Sequence, residues 1–255
     1  MNKSNITSRR ANGPRSSRLS RAELEQRGRA RIELEQRREI RRCLDQNADP
    51  PGPLYWLQVH TRTFNEHWRE QGTEPYARFP DWPYFPCLFE LFQSERRLFI
   101  PKSREMMVSW AVIGYAVWKC QFFERTRVIV QAQKLEKVID LISGRGNPGY
   151  ARTLYEQQDQ FLKDRHPLVK PSTEMPGDML AWANGSTLHG VPSGADQIRQ
   201  YHPTVVIFDE AAHLDEFEAS YGAADPVASQ IIAVSSAAPS FFGDVCTDIM
   251  EQAGR

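Results

Sequence analysis

The stretch VVIFDEAAH, Val205 to His213, restricts what this chain can fold into more than any other. Three β-branched residues and a phenylalanine in an unbroken run read as a buried strand inside a mostly parallel sheet. The run ends in adjacent carboxylates. Asp209 and Glu210 therefore stand at the carboxyl end of a central strand, where open α/β sheets bind their ligands. Two acids in that position also serve simply to cap a following helix, so the rest of the chain has to decide between the uses.

From Arg97 onward the pattern alternates strand and helix, which predicts an α/β fold with helices on the faces of a mostly parallel sheet. Strands are expected at 97–101 (RLFIP), 127–131 (RVIVQ), 204–209 (TVVIFD) and 230–235 (QIIAVS). Helices are expected over about 105–123, 133–143 and 151–164. In LAWANGSTLHGV, Leu180 to Val191, an Asn-Gly pair between alternating apolar residues marks a hairpin. Upstream, NADPPGP (47–53) is a Pro/Gly linker, and a short helix is expected around Leu54–Glu70. YARFPDWPYFPCLFELF (76–92) alternates aromatics with prolines and then gives way to a helix. That composition suits either an adenine pocket or a hydrophobic lid over the sheet edge. The chain thus divides into a tail and charged helix (1–46), a linker and lid region (47–96) and a core (97–255).

The formal net charge is zero, yet residues 1–45 carry 13 Lys/Arg against 6 Asp/Glu. The first 20 residues are rich in Ser, Arg and Asn and are expected to be disordered. The next segment reads as a helix to about Gln46, with RAELEQR (21–27) nearly repeated as RIELEQR (31–37). Ten residues turn a helix by about 1000°, so the two copies make no heptad stripe. This arm is either a solvated helix or a basic docking arm for DNA or a protein partner. Four scattered cysteines without a C-x-x-C pair, and six scattered histidines, point away from disulfide and zinc frameworks and fit a reducing cytosol. The most apolar stretch, Met106 to Trp118, is too short to span a bilayer, so no membrane anchor is expected.

About a hundred residues before the two acids, IPKSREMMVSW (Ile100 to Trp110) runs from the first strand into a helix. A standard phosphate loop, G-x-x-x-x-G-K-[ST], cradles phosphates with backbone amides, a Lys and a Mg²⁺-ligating hydroxyl. Here Ser109 supplies the hydroxyl, but Val108 precedes it and no glycine lies between Pro101 and Ser109. Lys102, followed by Ser103 and Arg104, stands at the front of the loop instead. A long cation at that position still reaches phosphates, because the helix N-terminus supplies the remaining positive field.

The order KSREMMVS, VVIFDEAAH, IIAVSSAAPS resembles the N-terminal ATPase domain of the large terminase subunit of tailed bacteriophages, over about Arg78 to Phe242. That family includes phosphate loops with the lysine moved to the front. The resemblance implies a P-loop NTPase of the ASCE (RecA-like) class that uses ATP and Mg²⁺ to move double-stranded viral DNA into procapsids. Carried over residue by residue, Lys102 and Ser103 bind phosphate, while Ser109 and Asp209 hold the metal ion, Asp209 as the Walker B acid. Glu210 activates water. Within the loop itself, Arg104 is either a second cation in cis or a salt-bridge partner of Glu105 or a neighbouring helix. Arg199, in GADQIRQYHP, matches an arginine associated with the nucleotide of a neighbouring subunit, though Gln200 replaces the usual following glycine. Ser235 and Ser236 match the family's coupling motif, with one extra residue before its proline.

The implied partners are DNA, the portal of the procapsid, a small terminase subunit and further copies of this chain in a ring, all in the host cytoplasm. The resemblance also leads one to expect a nuclease domain; with the sequence ending at Arg255, that activity is expected on a longer product or a separate chain. Two rival readings are an inactive DNA-binding or assembly module and a helicase-like P-loop ATPase.

Overall fold

The computed structural model describes residues 20–253; the disorder expected for the first residues falls outside them. The chain divides into two compact units between Glu39 and Ile40. Of the first unit, residues 21–39 form the beginning of α1 (Arg21–Leu44). Ser20 starts it: its N–H and Oγ donate to Glu23 Oε2 at 2.7 and 2.8 Å while Glu23 N–H returns to Ser20 Oγ, a reciprocal cap. Exposed pairs four residues apart, Arg21–Glu25, Arg31–Glu35 and Glu33–Arg37, lace its surface.

The second unit begins with the end of α1 and α2 (Gly52–Tyr55), which continues as a π-helical turn over Trp56–His60. Then come β1 (Thr63–Phe64), α3 (Trp68–Gln71), β2 (Tyr76–Ala77) and α4 (Phe85–Ser94), with β1 and β2 antiparallel. The core follows: β3 (Arg97–Pro101), α5 (Val108–Phe122), β4 (Arg127–Ala132), α6 (Leu135–Ile142), α7 (Tyr150–Glu156), α8 (Gln160–Arg165), β5 (Met179–Ala181), β6 (Thr187–Pro192) and α9 (Ala195–Arg199). It closes with β7 (Val205–Asp209), α10 (Phe217–Ala224), β8 (Gln230–Ser235) and α11 (Phe241–Ala253).

Six strands form one sheet in the order β3-β8-β7-β4-β6-β5, parallel except for β5, which pairs antiparallel with β6 across the Asn184-Gly185 turn. Alternation along each strand feeds two cores. Val128, Val130, Val205, Ile207, Ile232 and Val234 join the cluster that includes α5, while Ile129, Val206, Phe208, Ile231 and Ala233 join Phe217 and Phe242 on the opposite side. Burial on both faces is why these strands read as unbroken apolar runs. Gly190 lets α6 close on β6, because a Cβ there would collide with Val138.

The four expected strands and the hairpin are present; three helices differ. The helix expected over 151–164 is broken into α7 and α8, because Asp159 is drawn to His60: its N–H meets His60 O at 3.2 Å and its carboxylate meets His60 Nδ1 at 2.7 Å. The helix expected around Leu54–Glu70 stops at His60, where Thr61 turns to extended backbone (φ −118°) and its Oγ donates to Leu57 O at 2.6 Å. The helix expected from residue 105 starts at Val108, since Glu105 and Met107 adopt left-handed backbone with φ 63° and 51°. Among the described residues, no helix is long and apolar enough to cross a membrane.

Candidate functional site

The sheet order puts β8 between β3 and β7, so the loops after these three strands open side by side at one edge. Lys102 continues the ladder, donating its N–H to Ser235 O at 2.9 Å. The chain then turns through Ser103–Met107 into α5. Glycine is the residue that takes positive φ without steric cost, and this loop uses two L-residues instead. Each left-handed residue costs about 1–2 kcal/mol. Surrounding contacts hold the loop in place: Tyr84 Oη donates to Met106 O at 2.6 Å, and Trp110, in the first turn of α5, stacks on Tyr150 at 3.9 Å and 11°.

Lys102 Nζ donates to Glu210 Oε1 at 2.8 Å, and its side chain is only 10% exposed. Ser109 Oγ donates to Asp209 Oδ1 at 2.9 Å. On the other oxygen of Glu210, Oε2, converge Ser236 N–H and Ser236 Oγ, both at 3.3 Å, and Ser235 Oγ at 3.5 Å. Ser235 Oγ also accepts Ala212 N–H at 3.0 Å, and His213 Nε2 lies 3.0 Å from Ser236 Oγ. Glu210 itself has φ 52°, a strained conformation that turns its side chain away from the strand direction towards β3 and β8.

The two acids differ in their environments. Burial pushes Asp209 up from 3.8 to about 6; the Ser109 bond opposes this, the charge of Glu210 adds to it, and the fields of Lys102 and Lys137 lower it. Burial also acts upward on Glu210, but the Lys102 bond and charge and the two Ser236 bonds outweigh it, leaving this carboxyl below its ordinary value. Glu210 is therefore an anion held by a cation and two hydroxyls, next to an acid that protonates more readily.

These groups line one open cleft of about 1530 Å³. Lys102, Ser103, Arg104, Ser109, Asp209 and Glu210 all border it. Phe64, Arg78, Pro80 and Trp82 form another wall, so part of the aromatic and proline segment does face the cleft. Arg199 does not border it: its Nη1 pairs with Asp196 Oδ1 at 3.0 Å on an exposed turn. Among the described residues, no cluster of three or more His, Cys, Asp or Glu could hold a metal by itself. The hard oxygens of Asp209 and Ser109 suit Mg²⁺, an ion that keeps water and phosphate oxygens among its ligands.

Sequence reasoning missed several residues here. Tyr84 stands out in the sequence only as part of an aromatic segment, although it anchors the loop. Lys137 on α6 carries no signal, and His213 is visible only as the last letter of FDEAAH.

No protein-family model matches the sequence, and no curated protein matches it. Among solved structures, the large terminase of bacteriophage HK97 superposes with a TM-score of 0.54 at 11% identity, covering 79% of this chain and 41% of that one. The ATPase domain of the large terminase of Thermus phage P74-26 gives 0.42 at 16% identity, covering 71% and 72%. The large terminase of a thermophilic bacteriophage, solved in complex with ADP, gives 0.39 at 11% identity, covering 61% and 37%. The chain thus spans less than half the length of the HK97 protein, whose P-loop α/β fold it shares.

Proposed function

We propose that this chain is the ATPase motor of a DNA-packaging terminase, hydrolysing ATP to translocate double-stranded viral DNA. One observation carries the reading: a lysine at the front of a phosphate loop, a hydroxyl at its back and two strand-end carboxylates meet within hydrogen-bond distance in one cleft. The fold shared with HK97 large terminase supports it.

In this reading Lys102, the loop amides near Ser103 and the N-terminus of α5 bind the phosphates. Asp209 and Ser109 would hold Mg²⁺, which neutralises charge on the transferring phosphoryl group. Glu210 orients water and accepts its proton. For that, Lys102 has to leave Oε1, and a triphosphate is the competitor that draws it away. The base lies against the wall of Phe64, Pro80 and Trp82. Arg104, which borders the cleft with no ion-pair partner among the described residues, adds a cation in cis. Arg199 acts on the neighbouring subunit's nucleotide in a ring of copies. Ser235 and Ser236 link the state of Glu210 to the β8–α11 loop and so to movement. The basic arm meets DNA or a partner subunit, and the portal and a small terminase subunit complete the machine in the host cytoplasm.

The test is ATP turnover in the presence of DNA and procapsid. Glu210→Gln is expected to lower kcat by about two orders of magnitude or more. Equal turnover in that variant removes Glu210 as the water-activating acid, and no turnover in the wild type under those conditions refutes the reading and leaves the DNA-binding or assembly module.

A further inference from the structure

Ser236 Oγ stands between two groups, 3.3 Å from Glu210 Oε2 and 3.0 Å from His213 Nε2. A hydroxyl has one hydrogen to give. Glu210 accepts at both oxygens, from Lys102 Nζ on Oε1 at 2.8 Å and from the Ser236 N–H on Oε2 at 3.3 Å. The hydroxyl hydrogen therefore goes to Glu210, and the hydroxyl lone pair faces the imidazole. A bare Nε2 there would set lone pair against lone pair, so the ring carries its hydrogen on Nε2 and donates to Ser236. That chain, His213 to Ser236 to Glu210, runs from the turn after β7 to the loop after β8 and back to the acid.

The other oxygen, Oε1, is held by Lys102. Once Lys102 turns to a phosphate, the serines are what remain on the carboxylate, and only a hydroxyl whose hydrogen is already committed keeps it aimed. We infer that His213 is a positioning residue for the catalytic carboxylate, acting through Ser236. The inference rests on the ATPase reading above and deepens it by adding the group that orients the water-activating acid. The bond is exposed, so its loss has little effect on stability. Its effect lies in geometry.

Two measurements test this. In the nucleotide-free protein near pH 8, ¹⁵N spectroscopy of the His213 ring is expected to show the Nε2–H tautomer, shifting towards a mixture in Ser236→Ala. An Nδ1–H tautomer overturns the inference whatever the activity. In DNA-stimulated turnover, His213→Ala is expected to lower kcat about tenfold with KM unchanged, the scale of a misaimed catalytic group. His213→Gln, whose amide N–H can replace Nε2–H, is expected to recover most of that loss, and His213→Asn, which mimics the other nitrogen, is not. Adding His213→Ala to Ser236→Ala is expected to cost nothing further. Wild-type kcat in His213→Ala, equal rescue by Gln and Asn, or full additivity with Ser236→Ala each overturns it. If the wild type hydrolyses no ATP, the ATPase reading falls and the catalytic role of His213 with it, while the tautomer still reports whether the relay exists.

Discussion

In the proposed reading, binding a triphosphate requires breaking the Lys102–Glu210 pair, and the geometry sets how much that costs. The contact is 2.8 Å, with the lysine 10% and the glutamate 42% exposed. Two unit charges 4 Å apart at an effective dielectric of 20 attract by about 4 kcal/mol, a ceiling that screening at the open carboxylate reduces. Exposed pairs measure about 0.2–1 kcal/mol and hydrogen bonds to charged groups about 1.5–3 kcal/mol. Glu210→Gln keeps the shape and a neutral acceptor, so it removes about 1 kcal/mol of competition for Lys102. A non-hydrolysable ATP analogue should therefore bind Glu210→Gln about fivefold more tightly than wild type. Titration calorimetry on wild type, both single variants and the Lys102→Ala/Glu210→Gln pair decides it, with no gain expected once Lys102 is absent. A gain of the same size in the Lys102→Ala background would mean that Glu210 merely repels the triphosphate, and would refute the competition for Lys102. So would unchanged or weaker binding in Glu210→Gln.

Four further outcomes are expected. Asp209 binds its proton more tightly in the fold than in the unfolded chain, so its contribution to stability is lost as pH rises from 3.8 to about 6. Asp209→Asn should accordingly stabilise the nucleotide-free protein at pH 7 by at most about 3 kcal/mol and by almost nothing at pH 4, read from urea melts. Glu105 sits at φ 63°, so Glu105→Gly should be neutral to stabilising while Glu105→Val costs at least about 1 kcal/mol in the same melts. Deleting residues 1–39 should leave intrinsic ATPase activity intact and weaken DNA binding with a shallower salt dependence. Deleting to residue 45 should in addition destabilise the fold by about 1–3 kcal/mol, because Cys43 O accepts the buried Trp118 Nε1–H at 2.9 Å. Finally, mixing Arg199→Ala with Glu210→Gln should restore turnover that neither has alone, since some interfaces then combine an intact Glu210 with an intact Arg199 from the next subunit. No recovery in verified mixed assemblies removes the trans role.

Much of this architecture is legible in the sequence. Val205–Phe208 announces a strand buried on both faces because each alternate side chain enters a different core, and no solvated position interrupts the run. Asp209, Glu210 and Ser109 are marked by their places at a strand end and a helix start, which are local properties of the chain. Tertiary structure decided what is not local. That β8 inserts between β3 and β7 cannot be read from spacing, yet it alone puts Ser235 and Ser236 against Glu210, and Lys102 across from it. The break at Asp159 follows from a partner 99 positions away, His60, which no window of helix propensity contains. The glycine-free loop is the clearest case. Its sequence argues against a phosphate loop, because Glu105 and Met107 disfavour positive φ, and the conformation exists because contacts from Tyr84 and Trp110, distant in sequence or committed to the core, outweigh that local preference.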